Sequence, residues 1–512
     1  MRTKNSIKNS IVAIISNVLI ILLGFVIQTV FVKTLGEEYL GINGLFNNII
    51  SMLAIVELGI GPAIVSNLYK PLAENDYEKI KSLMAYYKKS YILIGILVII
   101  IGLLIMPFLN FFVNTTLTFN NFGGLYFIFF LFVLDAAFSY FYSYKRSIIQ
   151  ADQKNRIINI IHLICYTIMI IFQIAILLLT KNFILFLIIK ISCRLIENII
   201  LNIIANRTYK YLKENYDVID ETEKKNIFQK VKGLIYHKVS SYIVLGTDNI
   251  IISKFLGVRI VGLYSNYYLI INSLYTLICQ LFSSITASVG NLIASDTKEK
   301  CYDTYKKIMF INFWIYAFCS TAIFSMMTPF IKIWLGDKFL LSLPVLAVLV
   351  VNFYMLGMRS SIGVFKDAAG IFYEDRFIPV LESIINIVAS LILVKFFGLF
   401  GVFFGTFISS LIVVFYSLPK YVFKKVFDQK QIEYFKLYFK YFTLTIISVL
   451  ITSGISYLIN INFHISAFIE FILAGIISII IPNLIILIIF RKTDEFKYFI
   501  NLVFSKFKIR RD

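Results

Sequence analysis

The sequence predicts an all-α polytopic membrane protein of about fourteen transmembrane helices. Two six-helix lobes in parallel repeat would surround a central cavity, with helices 13 and 14 added at the end. Three observations carry this reading. The 512 residues are 59% hydrophobic and 15% charged, with a mean hydropathy of +0.83, whereas soluble domains average near half apolar and a quarter charged. The apolar residues gather in runs of roughly 18 or more, each long enough to cross a hydrocarbon core as a helix. One phrase is also written twice: "KTLGEEYLGINGLFNNIISMLA" at 33–54 and "KFLGVRIVGLYSNYYLIINSLY" at 254–275.

In chain order the apolar runs fall near 11–32, 40–66, 91–113, 122–144, 157–179, 183–206, 239–256, 262–292, 306–330, 341–365, 377–397, 399–418, 437–459 and 464–490. The start "MRTKNSIKNSIVAIIS" has a basic flank, but its apolar run reaches Val32 and no small-residue cleavage site follows. It therefore reads as an uncleaved first span. In span 2, Gly59, Gly61 and Pro62 of "LGIGP" are expected to bend or loosen the helix. Gly398, Gly401 and Gly405 read as packing residues of span 12.

Charge tests the count. With the N-terminus cytoplasmic, the inner segments carry 39 Lys and Arg and the outer ones 7; a wrong number of spans would scramble that ratio. Both termini are expected in the cytoplasm. Three basic stretches, 222–238, 420–440 and the tail, are read as amphipathic segments lying on anionic headgroups, with a simple stop-transfer charge cluster as an equal alternative for each. In the tail Phe496, Phe499, Ile500, Val503, Phe504 and Phe507 recur at helical spacing among Lys497, Lys506, Lys508, Arg510 and Arg511.

The repeated phrase aligns Lys33, Leu35, Gly36 and Gly41 with Lys254, Leu256, Gly257 and Gly262. The copies sit in the outer turns after spans 1 and 7, an even number of spans apart, so both units cross the membrane in the same sense. Parallel repeats of this kind build two lobes about an axis along the membrane normal. The glycines are expected to permit a tight turn and close helix approach. The domain plan is then 1–206 for the first lobe, 207–238 for a cytoplasmic linker, 239–435 for the second lobe, 436–490 for helices 13 and 14, and 491–512 for a basic amphipathic tail.

Several function classes fall away. The net charge of +20 follows from many cytoplasmic loops, and no nucleic-acid partner is expected. The five cysteines are odd in number and dispersed, against a disulfide framework, and the three histidines lack metal-ligand spacing. Gly257 to Gly262 has the glycine spacing of a phosphate-binding loop, but Leu263 and Tyr264 stand where Lys and Ser or Thr are required. Without a nucleotide motif, ATP-driven transport is not expected.

The fourteen spans, together with "TDNIIISKFLGVRIVGLYSNYYLIINSLY", "SVGNLIASDTKEK" and "VKFFGLFGVFFGTFISS", resemble the polysaccharide-flippase branch of the multidrug/oligosaccharidyl-lipid/polysaccharide exporter superfamily. The resemblance covers nearly the whole chain. It implies an alternating-access transporter in the bacterial cytoplasmic membrane. The implied substrate is an undecaprenyl-diphosphate-linked oligosaccharide, moved from inner to outer leaflet for capsule, exopolysaccharide or another surface glycan. No cofactor is implied beyond a coupling H⁺ or Na⁺; membrane lipids, a polysaccharide polymerase and glycosyltransferases are the possible partners.

Ionisable groups inside spans are expensive and are functional candidates by default. Lys190, Arg194 and Glu197 stand at i, i+4 and i+7 on one face of span 6. The two cations suit a diphosphate, with Glu197 holding Arg194; a packed intrahelical salt-bridge stripe is the plainer alternative. Arg359 in span 10 is a third cation candidate, close enough to the cytoplasmic end to snorkel. Asp248 and Asp135 near mid-span, and Glu57 in span 2, are candidates for ion coupling, although a structural hydrogen bond serves each as well. Gln28 puts a polar group at the depth of Asp248, and Asn249 is a further supporting residue. Glu382 is expected at the cytoplasmic interface.

Three other functions were weighed. A lipid II flippase is disfavoured because that family carries arginines in its first two helices and these spans have none. A cation-coupled multidrug exporter is disfavoured by the cations of span 6 and by spans 13 and 14. A polymerase or glycosyltransferase is disfavoured by short outer loops and the lack of an Asp-x-Asp pair. Enzyme activity is not expected.

Overall fold

In hydrocarbon a backbone must satisfy its own hydrogen bonds, so an apolar run folds as a helix. The computed structural model describes residues 2–53, 57, 60–115, 124–141, 143–214, 246–371 and 374–508, and among them there is no strand. Ten helical stretches among these residues are long and apolar enough to cross a membrane. The chain divides into two compact units, Met1–Ser265 and Asn266–Asp512.

The first unit contains α1 (Arg2–Leu35), α2 (Glu37–Leu53), α3 (Ile60–Glu74), α4 (Tyr77–Ile105), α5 (Gly124–Phe141), α6 (Ser143–Ala151), α7 (Asn155–Thr180), α8 (Phe183–Thr208), α9 (246–256) and the first turns of α10 (Val258–Ser295). At the weak point expected in span 2, Glu57 lies in a 3₁₀ turn between α2 and α3; residues 54–56 and 58–59, with Gly59 among them, lie outside the described ones. The Glu57 carboxylate accepts a 3.3 Å hydrogen bond from the Tyr91 hydroxyl of α4. Two residues join α7 to α8: Lys181, left-handed at φ 49°, ends α7, and the Asn182 side chain accepts from the backbone N–H groups of Ile184 and Leu185. That cap satisfies donors otherwise orphaned at a helix start. The tight turn makes α7 and α8 an antiparallel pair.

The two copies of the repeated phrase meet each other. Gly36 and Gly257, the matched turn residues, have φ +86° and +90°, a region open to glycine at little cost. Five residues on, a Cβ on Gly41 would lie 1.9 Å from the Val258 carbonyl oxygen, and one on Gly262 would lie 1.9 Å from that of Glu37. A Cβ on Gly44 would stand 2.9 Å from the hydroxyl of Ser265, the residue that matches it in the second copy. The contacts are reciprocal, so α2 and the start of α10 cross about a local twofold axis. Beside the crossing, Arg259 pairs with Glu37 at 3.2 Å and Thr115 donates to Glu38 at 2.8 Å.

The second unit contains the rest of α10, then α11 (Lys298–Trp334), α12 (Leu343–Ala368), α13 (Ile378–Ser409), α14 (Phe415–Val422), α15 (Ile432–Phe463), α16 (Ala467–Phe490) and α17 (Asp494–Lys508). Helix α11 is its axis, packed by α12, α15 and α16. Phe313 of α11 stacks on Tyr441 of α15 with ring centres 4.2 Å apart, worth about 0.5–1.5 kcal/mol beyond the area buried. Trp314 donates to Asn483 of α16 at 2.6 Å. Spans 13 and 14 thus pack directly on the central helix of this unit.

Predicted spans 11 and 12 are the arms of one hairpin. Within α13, Gly398 has φ 56° and ψ −134°, and the chain folds back there. A Cβ on Gly401 would stand 2.2 Å from the Leu393 carbonyl oxygen, and one on Gly405 2.4 Å from the Ser390 hydroxyl. Ser390 donates to the Val402 carbonyl and Asn386 to the Thr406 hydroxyl, each at 3.0 Å. Beyond the hairpin, π-helical turns at Ser410–Val414 and Phe423–Phe427 flank α14.

Two interfacial expectations change. In the 420–440 stretch, Phe423 and Phe427 are buried against Tyr305; these rings serve the protein core and are not laid on lipid. In the tail, α17 forms as the periodicity predicts, but Phe496 and Phe499 pack on Trp314. The 222–238 stretch lies outside the described residues.

Candidate functional site

Helix α8 turns Ile188, Ile196, Ile199 and Ile203 outward and buries Glu197, Asn198, Leu201 and Ala205. At 1.5 Å per residue, the polar track from Lys190 to Asn206 runs for about 24 Å along its inner side. Two charge clusters occupy this track.

The first joins residues that the sequence had assigned to separate roles. Asp135, projecting from α5, is buried, and its carboxylate holds both predicted cations. Arg194 Nε lies 2.5 Å and Lys190 Nζ 3.2 Å from its two oxygens, and Arg194 reaches the second oxygen at 3.2 Å. Lys190 also approaches the Asn47 side-chain oxygen of α2 at 3.5 Å and sits 5.2 Å from the centre of the Phe132 ring. One carboxylate against two cations leaves an excess positive charge. Arg194 is 36% and Lys190 21% exposed at the side chain, so both remain approachable. An ionised acid at this depth needs such partners to offset its lost hydration.

In the second cluster Glu197 is held by residues of two other helices. Its carboxylate accepts from Arg146 of α6 at 2.6 Å, and His162 Nδ1 of α7 lies 3.2 Å from each oxygen. Arg146 donates also to the Asn198 side chain at 3.2 Å. The α7–α8 hairpin brings His162 opposite Glu197 although 35 residues separate them. Sequence reasoning passed over Arg146 as a loop cation and His162 as an isolated histidine. No sequence signal pairs them with Glu197, from which they stand 51 and 35 residues away.

The other candidates lie apart in the chain. Asp248 and Asn249 are on α9, with Asn249 buried and its amide 3.8 Å from where a Gly44 Cβ would stand. Gln28 is half-buried on α1, and Glu57 is the partner of Tyr91. In the second unit both guanidinium nitrogens of Arg359 lie 3.3 Å from one Glu382 oxygen, which Ser410 also approaches at 3.1 Å. Glu382 is therefore buried at the base of the hairpin, and Arg359 is held inward by it.

A family model described as polysaccharide biosynthesis protein matches residues 6–290, more than half of the chain. The chain belongs to this family. Among solved structures, the lipid II flippase MurJ in an inward closed conformation is similar at 17% identity and TM-score 0.69, over 95% of this chain and 99% of that one. An inward-facing multidrug resistance MATE family transporter of the MOP superfamily aligns at 14% identity and TM-score 0.62, over 81% of this chain and 98% of that one. The Vibrio cholerae MATE transporter VcmN in its bent form gives 12% identity and TM-score 0.57, over 83% and 97%. No curated protein matches the chain. These likenesses speak to fold, and the fold is that of the MOP transporters, as the sequence motifs implied. The MurJ alignment leaves too little of the polysaccharide-family chain uncovered to omit both α15 and α16, the helices beyond the two six-helix repeats.

Proposed function

We propose that this membrane protein is a secondary transporter that flips polyprenyl-diphosphate-linked oligosaccharide units to the outer leaflet of the bacterial cytoplasmic membrane. The observation that carries the reading is the Lys190–Asp135–Arg194 cluster within a member of the polysaccharide biosynthesis family. A lipid-linked sugar carries a diphosphate whose transfer into hydrocarbon strips water from charges, costing several kcal/mol per unsatisfied polar group. Two cations held ready by one carboxylate lower that cost without being stranded when the site is empty. Asp135 partners them between cycles; the diphosphate joins or displaces it on loading. The isoprenoid stays in lipid while the head passes by alternating access.

A lipid II flippase is the second reading, favoured by the extent of the MurJ alignment. Mass spectrometry of polyprenyl-linked lipids from a deletion strain separates the two. Accumulated oligosaccharide-linked lipid with loss of surface glycan supports the first. Accumulated lipid II with surface glycan intact supports the second, and no change in either refutes both. Replacing Lys190 and Arg194 together by Gln should abolish complementation at normal membrane levels; full complementation would remove the cluster from the mechanism.

A further inference from the structure

Glu197 is a buried carboxylate that the Asp135 cluster leaves unused. Its close partners are the Arg146 guanidinium and the His162 imidazole. The His162 side chain is 44% exposed. Three elements pack on α7: α1, α6 and α8. Helix α1 has no ionisable side chain between Lys8 and Lys33. Helix α6 contributes Arg146, and α8 contributes Glu197 with Cys193, then Arg194 and Lys190 further along. On its own helix His162 neighbours the Tyr166 ring, 5.9 Å away, and Cys165 lies near Glu197. Among these side-chain types, imidazole is the one that ordinarily gains and loses a proton between about pH 5 and 8.

We infer that His162 is a proton-binding site that sets the affinity of the Lys190–Arg194 pair for a diphosphate diester, so that a proton is taken up together with the lipid-linked substrate. This rests on the function proposed above. The charges of Asp135, Lys190, Arg194, Glu197 and Arg146 add to +1 while His162 is neutral, and to +2 when it is protonated. A diphosphate diester carries two negative charges, so the protonated site is the one that neutralises it. Lys190 and Glu197 are about 10 Å apart along α8, a distance over which charges sheltered from bulk water still interact. The coupling is reciprocal: if protonation tightens substrate binding, substrate binding tightens proton binding by the same factor. Release of the substrate then frees the proton.

The test uses full-length protein in nanodiscs and geranyl-diphosphate-linked N-acetylglucosamine, a diester that lacks the ionisation of a phosphate monoester near pH 6. Wild type should bind it about five- to tenfold more tightly at about pH 5.5 than at about pH 8. Calorimetry in buffers of different ionisation enthalpy should register proton uptake near pH 7. His162→Gln should bind at the weak level throughout and take up no proton. His162→Lys, with a permanent charge, should bind at the tight level throughout, which separates charge from folding. Wild type and His162→Gln with the same pH slope would overturn the inference while leaving the transport reading intact. Folded wild type that binds at no pH would remove the substrate reading, and this inference with it.

Discussion

The glycine crossing supports a prediction that can be worked from distances. Gly262→Ala places a methyl group 1.9 Å from the Glu37 carbonyl oxygen and 2.9 Å from its carbon. An ordinary carbon–oxygen contact is about 3.4 Å, so α2 and α10 must part by about 1.5 Å. The obstacle is backbone, which cannot rotate aside as a side chain can. Overpacking of this kind costs about 1–3 kcal/mol. Gly41→Ala makes the mirror clash, 1.9 Å from the Val258 oxygen, and should cost a similar amount. Parting the helices once relieves much of both clashes, so the double variant should cost about 1 kcal/mol less than the sum of the singles. Gly454→Ala is the control, since nothing lies within 4 Å of its Cβ position on α15; it should be neutral or mildly stabilising. Thermal unfolding in detergent, read by a thiol-reactive dye on the five free cysteines, two of them buried, ranks the four proteins. Strict additivity, or a Gly262→Ala midpoint equal to that of Gly454→Ala, would refute the reciprocal crossing.

Three further predictions use the same assay. Asp135→Asn leaves two inner cations without their acid and should destabilise by about 3–5 kcal/mol; adding Lys190→Gln and Arg194→Gln should recover most of the loss. Gly398→Ala forces a side chain into a backbone conformation open essentially to glycine and should cost about 1–3 kcal/mol, while Gly363→Ala, with nothing within 4 Å, should not. The hydrogen bond from Lys425 holds the Glu374 carboxyl below its usual range. Its contribution is therefore present above the ordinary glutamate pKa and fades as pH falls through the lowered one. Lys425→Met should erase that small acid dependence; an unchanged pH profile would rule the pair out as its source.

Much of the fold was legible because the bilayer constrains it so strongly. Length and apolarity located the helices, and basic residues set a consistent alternation of loops. The turn glycines of the repeat were visible as a spacing. That the two phrases contact each other was not legible, because a repeat period gives orientation and says nothing of distance. At the candidate site, periodicity put Lys190, Arg194 and Glu197 on one face but could not name their partners. Asp135 and His162 reach that face from other helices, and pairing across helices depends on how α5 and α7 pack on α8. The partner of Glu382 was hidden for the same reason: Arg359 is 23 residues away in sequence and beside it in space.

The crossing at Gly44 and Ser265 has the logic of an isologous contact, in which each half offers the other the same patch. Such a surface is self-complementary before it is anything else. A half-length polypeptide bearing one copy of the phrase would present to a second molecule the groove that α2 and α10 now fill within one chain. Within this chain glycine stands at both members of the Gly41–Gly262 pair, whereas the position on the axis carries hydrogen on one side and a hydroxymethyl group on the other. A difference between the two copies can begin at a single residue on such an axis.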